Sequence, residues 1–311
     1  MNFGESLFDI ESDPFLKSAK FLNFLLGLKG IGPAKALTIA QSFLTLDDVF
    51  EHLASVGLYS REIMELPDLD SEYPIQALSF FSEFYPPELR DLPNPPAILW
   101  IMGELPSGKA LAVVGTRNPT PEAISITAAT CRALDKDRHI LVSGLADGID
   151  YVAHTASLEH GVKNIAVLGH GFLELLKNTK FELAQQILEN GGALVSEYSP
   201  TRRSTPGSYV ERDRIIASLG LSTLVIECGI PSGTLHTVRD ALNIRRNVLV
   251  VEQSNKTTQN LGNQYLLGSL ESGLSKDQRD WVDKNKLDLK PEWLPHIFPV
   301  QTIGQVRVLL N

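Results

Sequence analysis

Cysteine is almost absent from this sequence: Cys131 and Cys228 are the only two in 311 residues. Both sit in apolar surroundings and read as buried thiols of a reducing compartment, which excludes a disulfide framework. No stretch approaches 18 consecutive apolar residues, so a membrane span is not expected. The first residues, MNFGESLFDIESDPF, carry acids and no basic n-region, unlike a secretion signal. A cytoplasmic protein with no membrane partner is the expectation. None of the seven histidines stands at ligand spacing with Cys, Asp or Glu, so no metal is expected. The G-x-G-x-x-G fingerprint is missing as well, which removes the usual support for a dinucleotide, and no cofactor is expected. Aromatic residues make up only 7%, and Phe172, Tyr198 and Tyr209 alone fall near expected strand ends. Base stacking would therefore add little, and phosphate contacts would dominate any nucleic-acid binding. Positive charge is also in deficit. The formal net charge of −9 opposes non-specific attraction to nucleic acid and leaves a local basic pocket as the electrostatic route. Arginine pairs at Arg202/Arg203, Arg212/Arg214 and Arg245/Arg246 keep that route open.

What the chain does have is a set of short apolar runs at βαβ spacing: 110–115 (ALAVVG), 140–144 (ILVSG), 165–169 (IAVLG), 193–197 (ALVSE), 223–227 (TLVIE) and 248–252 (VLVVE). Apolar on both alternating faces, they suit strands of a parallel sheet covered by helices on each side. In such a doubly wound α/β sheet the ligand crevice forms beyond the carboxyl ends of the strands. The turns at those ends are rich in Gly, Ser and Thr, which present N–H groups and hydroxyls at helix N-termini to an anion.

Ahead of this region the chain reads as helical to about residue 66. A helix over 15–27 is followed by Leu28-Lys29-Gly30-Ile31-Gly32-Pro33 and a second helix to about Phe43, with Pro33 in its first turn. That is a helix–hairpin–helix pattern. Gly30 and Gly32 with Lys35 form a candidate second contact to a DNA phosphate, and packing alone would equally account for the glycines. A proline-rich connector over 86–96 separates this part from the sheet. The segment 97–102 (AILWIM) reads as a further strand, 265–272 as a helix, and 305–310 as a last strand. The boundaries drawn are 1–82 for a small all-α, SAM-like domain, 83–272 for the sheet domain and 273–311 for a tail too short for a winged helix.

The candidate binding residues sit in four turns and at one helix start. Gly115 allows a sharp turn after the first run, and Arg117 two residues later is a bidentate phosphate partner. Ser143, Gly144, Ala146 and Gly148 bring small residues to the second strand end, with Asp150 at the helix start and His154 one turn later, read as a satisfied histidine on a partly buried helix face with a ligand contact as the alternative. Gly169 and Gly171 follow the third run. Arg212-Asp213-Arg214 is expected to open a helix. Two residues apart, its arginines cannot share a face, so one should reach the crevice while the other pairs with an acid or braces loops. Ser232, Gly233 and Thr237 form a second phosphate seat.

Taken in order, these motifs resemble the DNA-processing protein A family (DprA, also called Smf), from Tyr85 to about Ser272. The matching residues include Tyr85-Pro86-Pro87, Gly115-Thr116-Arg117-Asn118-Pro119-Thr120, Ser143-Gly144-Leu145-Ala146-Asp147-Gly148-Ile149-Asp150 and Ser196-Glu197-Tyr198. Arg212-Asp213-Arg214-Ile215-Ile216-Ala217, Ser232-Gly233-Thr234-Leu235-His236-Thr237 and Gly262-Asn263-Gln264-Tyr265 complete the set. The resemblance implies an extended Rossmann domain that binds single-stranded DNA without catalysis. It also implies homodimerisation and a role in natural transformation and recombination, with strands handed to the RecA recombinase. Arg117 and Arg212 are the arginines it places in the DNA pocket.

The sequence departs from the family pattern in several places. Asp213 stands where the family has Asn, Arg245-Arg246-Asn247-Val248 replaces Gly-Arg-x-Val, Val251-Glu252-Gln253 replaces Val-Pro-Gly, and Leu176-Lys177 replaces Tyr-Pro. These changes bear on the RecA handover and leave room for another DNA-related task, such as phage defence. A different class of reading is a nucleotide phosphoribohydrolase of the LOG type, whose Pro-Gly-Gly-x-Gly-Thr turn the segment 231–237 loosely resembles. Cleavage at a sugar needs a carboxylate there. Val238, Arg239 and Asp240 follow the turn in place of the required glutamate, which disfavours hydrolysis. A module that senses a mononucleotide is the third reading.

Overall fold

The computed structural model describes residues 14–58, 74–175, 179–270 and 273–310. All but the last two residues of the N-terminal segment compared with a secretion signal, the stretch 59–66 and the Leu176-Lys177 pair lie outside them. The chain divides into two compact units, one within 1–70 and 77–99, the other within 71–76 and 100–311.

In the first unit a 3₁₀ turn (Pro14–Lys17) leads to α1 (Ala19–Gly27), α2 (Pro33–Ser42) and α3 (Leu46–Ser55). Each start is chemically marked. Ser18 and Thr45 accept N–H bonds as N-caps, and Pro33 occupies a position where its missing N–H costs nothing. Leu16, Phe21, Leu22, Leu25, Ala36 and Leu53 are fully buried. β1 (Ile75–Ser79) and the short α4 (Pro87–Arg90) follow. The Tyr85 hydroxyl donates to the Pro96 carbonyl at 2.8 Å, closing the proline-rich segment on itself.

The remaining strands are β2 (Ile98–Gly103), β3 (Lys109–Val114), β4 (His139–Ser143), β5 (Lys163–Leu168), β6 (Ala193–Ser196), β7 (Ser222–Val225), β8 (Asn247–Val251) and β9 (Ile297–Val300). Between β3 and β7 lie α5 (Pro121–Arg132), α6 (Ile149–Leu158), α7 (Phe172–Leu175), α8 (Phe181–Glu189) and α9 (Pro206–Leu219). After β7 come α10 (Thr234–Asn243), α11 (Leu261–Leu266), α12 (Lys276–Lys284) and α13 (Ile303–Leu310). The sheet order is β1-β2-β6-β5-β4-β3-β7-β8-β9, with β3 through β9 parallel to their neighbours and β2 antiparallel to β6. This is the expected doubly wound, mostly parallel α/β architecture, with a helical N-terminal region. All six apolar runs form strands, buried along nearly their whole length as helix cover on both faces requires.

Three expectations are corrected. The segment 305–310 is helical within α13, and the last strand is β9, eight residues upstream. The helix placed over 265–272 is α11, which starts at Leu261. The Arg212-Asp213-Arg214 helix begins at Pro206, where Thr205 and Ser208 form a reciprocal cap, so the arginines lie in its second and third turns. Cys131 and Cys228 are free and buried. Among the described residues no helix is long and apolar enough to cross a membrane.

Candidate functional site

The strand order reverses at β3, which lies between β4 and β7. Beyond the carboxyl ends of these strands a cleft of about 680 Å³ opens, at the topological switch point where doubly wound sheets bind ligands. Its wall comprises Gly115, Thr116 and Arg117 after β3, and Ala146 and Asp150 before and at the start of α6. Thr205, Tyr209, Arg212 and Asp213 come from the start of α9, and Ser232, Gly233, Thr234 and Thr237 from the start of α10.

The turn carrying Arg117 is held from below. The Glu227 carboxylate accepts the Thr120 N–H and the Thr120 hydroxyl, each at 2.8 Å, and the Gln253 amide at 3.0 Å. The Thr116 N–H donates to the Glu227 carbonyl at 2.7 Å, and the Ile149 N–H to the Thr116 carbonyl at 3.1 Å. Gly148 passes beneath at φ +78, and a Cβ there would lie 2.3 Å from the Thr116 carbonyl oxygen. Gly148→Ala therefore combines an unfavourable backbone conformation, about 1–3 kcal/mol, with a backbone clash. We expect thermal unfolding to show a lowered Tm. An unchanged Tm would mean that the turn can move.

Arg117 is exposed, its guanidinium 5.9 Å from the centre of the Tyr209 ring. Arg212 is only 4% exposed. Its Nη1 donates to the carbonyls of Gly144, at 2.7 Å, and Val167, bracing the ends of β4 and β5. A Cβ on Gly144 would fall 2.0 Å from that nitrogen, so a larger residue there would displace the guanidinium. Arg212 Nε stands 3.2 Å from the Asp213 carboxylate. Asp150 accepts the N–H groups of Gly144 and Ala146 at 3.1 and 3.4 Å. Burial raises the Asp150 pKa despite Arg212 and these bonds. Burial likewise pushes Asp213 up to about 7, with Arg212 and Arg117 opposing and Asp150 and Asp240 reinforcing the shift.

Of the residues expected to bind phosphate, Gly115, Arg117, Ala146, Arg212, Ser232, Gly233 and Thr237 line the cleft. Ser143, Gly144, Gly148, Gly169, Gly171 and Arg214 do not. The Ser143 hydroxyl donates to the Val113 carbonyl at 2.7 Å. The Gly169 carbonyl accepts the Ser208 hydroxyl at 2.6 Å, and the Gly171 N–H donates to the Arg202 carbonyl at 2.8 Å. Arg214 points away and pairs with the buried carboxylate of Glu197, as two arginines spaced two apart on a helix require. His154 is fully buried, its Nδ1 2.8 Å from Asn164 Oδ1, and burial lowers its pKa to about 4. In the first unit Gly30 has φ +82, Gly32 precedes Pro33 at the head of α2, and Lys35 is exposed in its first turn. Sequence reasoning passed over Thr116, Thr205 and Glu227. Glu227 ends an apolar run, a position that makes its carboxylate available to the neighbouring strand's turn. Among the described residues no group of three or more His, Cys, Asp or Glu could hold a metal ion.

Residues 76–284 match the family model of DNA recombination-mediator protein A. The chain belongs to this family. Among relatives in the DNA recombination-mediator protein A family, Protein Smf of Escherichia coli is 38% identical over 172 residues, covering 55% of this chain and 46% of its own. DNA processing protein DprA of Bacillus subtilis is 31% identical over 186 residues, covering 59% of this chain and 62% of its own. The chain thus spans about half to just under two thirds of these relatives. DprA from Streptococcus pneumoniae superposes with a TM-score of 0.66 at 24% identity, covering 86% of this chain and 98% of its own. DNA processing protein A from Helicobacter pylori, described for its single-stranded DNA binding mode, superposes at 0.56 with 22% identity, covering 70% of this chain and 99% of its own. Both share the fold.

Proposed function

We propose that this family member binds single-stranded DNA through the cleft at the β3 switch point, without catalysing a reaction. It would act as a cytoplasmic homodimer that presents strands to a RecA recombinase during transformation and recombination. The observation that carries the reading is an exposed Arg117 on the wall of a cleft that Ser232, Gly233 and Thr234 at the start of α10 also line. A guanidinium, hydroxyls and a helix start on the wall of one cleft suit a phosphate. The Helicobacter pylori protein that shares the fold binds single-stranded DNA.

The hydrolase reading finds less support. Asp240, the carboxylate of α10, pairs with Arg239 at 2.8 Å and is not part of the cleft wall.

Fixed phosphate seats read backbone spacing and not base edges. We therefore expect fluorescence anisotropy to give tighter binding to a single strand than to duplex of the same length and salt, with little dependence on sequence. A duplex preference would refute the reading. Release of free base from nucleoside monophosphates would move the protein to the hydrolase class.

A further inference from the structure

The cleft wall contains two guanidinium groups and two carboxylates, Arg117, Arg212, Asp150 and Asp213, so its formal charge cancels. An anion seat with no net charge needs an explanation. Asp150 has a structural one, because its oxygen gathers the Gly144 and Ala146 N–H groups and shapes the loop before α6. Asp213 has none of that kind. It lies 3.2 Å from Arg212 Nε, yet that N–H finds no hydrogen-bond acceptor among the described residues. The two groups are close but misaligned. Neutralising Asp213 breaks no hydrogen bond to Arg212, and it removes the negative charge that an entering phosphate would meet.

We propose, building on the cleft as the DNA seat, that Asp213 makes strand binding proton-dependent. A phosphodiester enters together with one proton from solvent, and the neutral carboxyl of Asp213 donates its O–H to a phosphate oxygen. The surroundings suit this role. Besides burial, the groups acting on Asp213 are Arg212 on its own helix, Asp150 from α6, Asp240 from α10 and Arg117 from the turn after β3. The balance among them sets titration near neutrality, and a bound phosphate adds negative charge that favours the protonated form further. The neutral acid also turns an acceptor that would repel phosphate into a donor. Asp213 is thereby a specificity determinant. It allows the cleft to fill with phosphate below neutrality and weakens it above.

The test is anisotropy of a fluorescein-labelled oligothymidylate with the full chain, from about pH 6 to about pH 9 at constant ionic strength. The wild type should bind with nearly constant affinity below about pH 7 and lose up to about tenfold per pH unit above it, the slope of one linked proton. Asp213→Asn should flatten the profile and bind more tightly than wild type at the alkaline end. Calorimetry of the wild type at about pH 8 in Tris and in HEPES, buffers of different ionisation heat, should report uptake of close to one proton. That measurement decides the matter even if the variant folds poorly. A flat wild-type profile with no proton uptake, or a slope retained in Asp213→Asn, would overturn the proton link and leave the seat standing. No binding at any pH would overturn the seat itself.

Discussion

Arg212→Ala is expected to destabilise the protein by about 3–5 kcal/mol, the range for removing one partner of a buried ion pair. The guanidinium is almost fully buried, braces the Gly144 and Val167 carbonyls, and lies beside Asp213. Its loss leaves these carbonyls without that donor, and the carboxylates of buried Asp150 and partly buried Asp213 without its charge. Urea unfolding should show a lower midpoint with an unchanged m-value. Adding Asp213→Asn to Arg212→Ala should recover part of the loss, since it removes one of the stranded charges. A loss below about 1 kcal/mol, the level of an exposed pair, would mean that Arg212 is not a structural brace. The sign for Asp213 alone runs the other way. Its carboxyl titrates at about 7 in the fold against an ordinary 3.8, so the folded state holds the proton more tightly. Stability is lost as pH rises from about 3.8 to about 7, and Asp213→Asn should raise the urea midpoint above pH 7.

Arg117→Ala should separate binding from folding. Arg117 is exposed and rests against Tyr209, so thermal unfolding should match wild type. Loss of a charge-assisted contact should weaken oligonucleotide binding by about 1.5–3 kcal/mol on all sequences. The slope of log K against log salt should shrink by about 0.7, the value for one single-strand phosphate. Arg132, at the far end of α5, forms a surface pair with Glu159 at 2.9 Å, and Arg132→Ala is the matched control. If Arg117→Ala and Arg132→Ala bind alike with the same salt slope, the cleft is not the DNA seat and the family membership speaks for the fold alone.

The strands were legible because each is covered on both faces, which leaves an apolar run no other comfortable state. The tail was not. Val306 and Val308 alternate with polar neighbours and imitate a strand, while Pro299 sits inside the real one. Proline lacks the ladder N–H and is tolerated there because β9 is an edge strand. The start of α9 was missed for a different reason. The charged triplet marks the helix in the sequence, whereas the capping signal that starts it, Thr205-Pro206-Gly207-Ser208, stands just upstream. In the site, the residue types were visible and their directions were not. Arg212 and Arg214 are chemically identical in sequence, and only the docking of α9 across the strand ends turns one to the cleft and the other to Glu197. Asp213 was visible as an added negative charge, but its place inside the cleft wall was not.

Glu227 links the cleft to the rest of the sheet in time as well as in space. Its carbonyl holds the Thr116 amide and its carboxylate the Thr120 amide, while Gln253 beyond β8 grips the same carboxylate. The Arg117 turn cannot open without releasing both amides. These two protons should therefore exchange with deuterium slowly and at one shared rate, as a single cooperative unit, and the turn should hold its shape whether or not the cleft is filled.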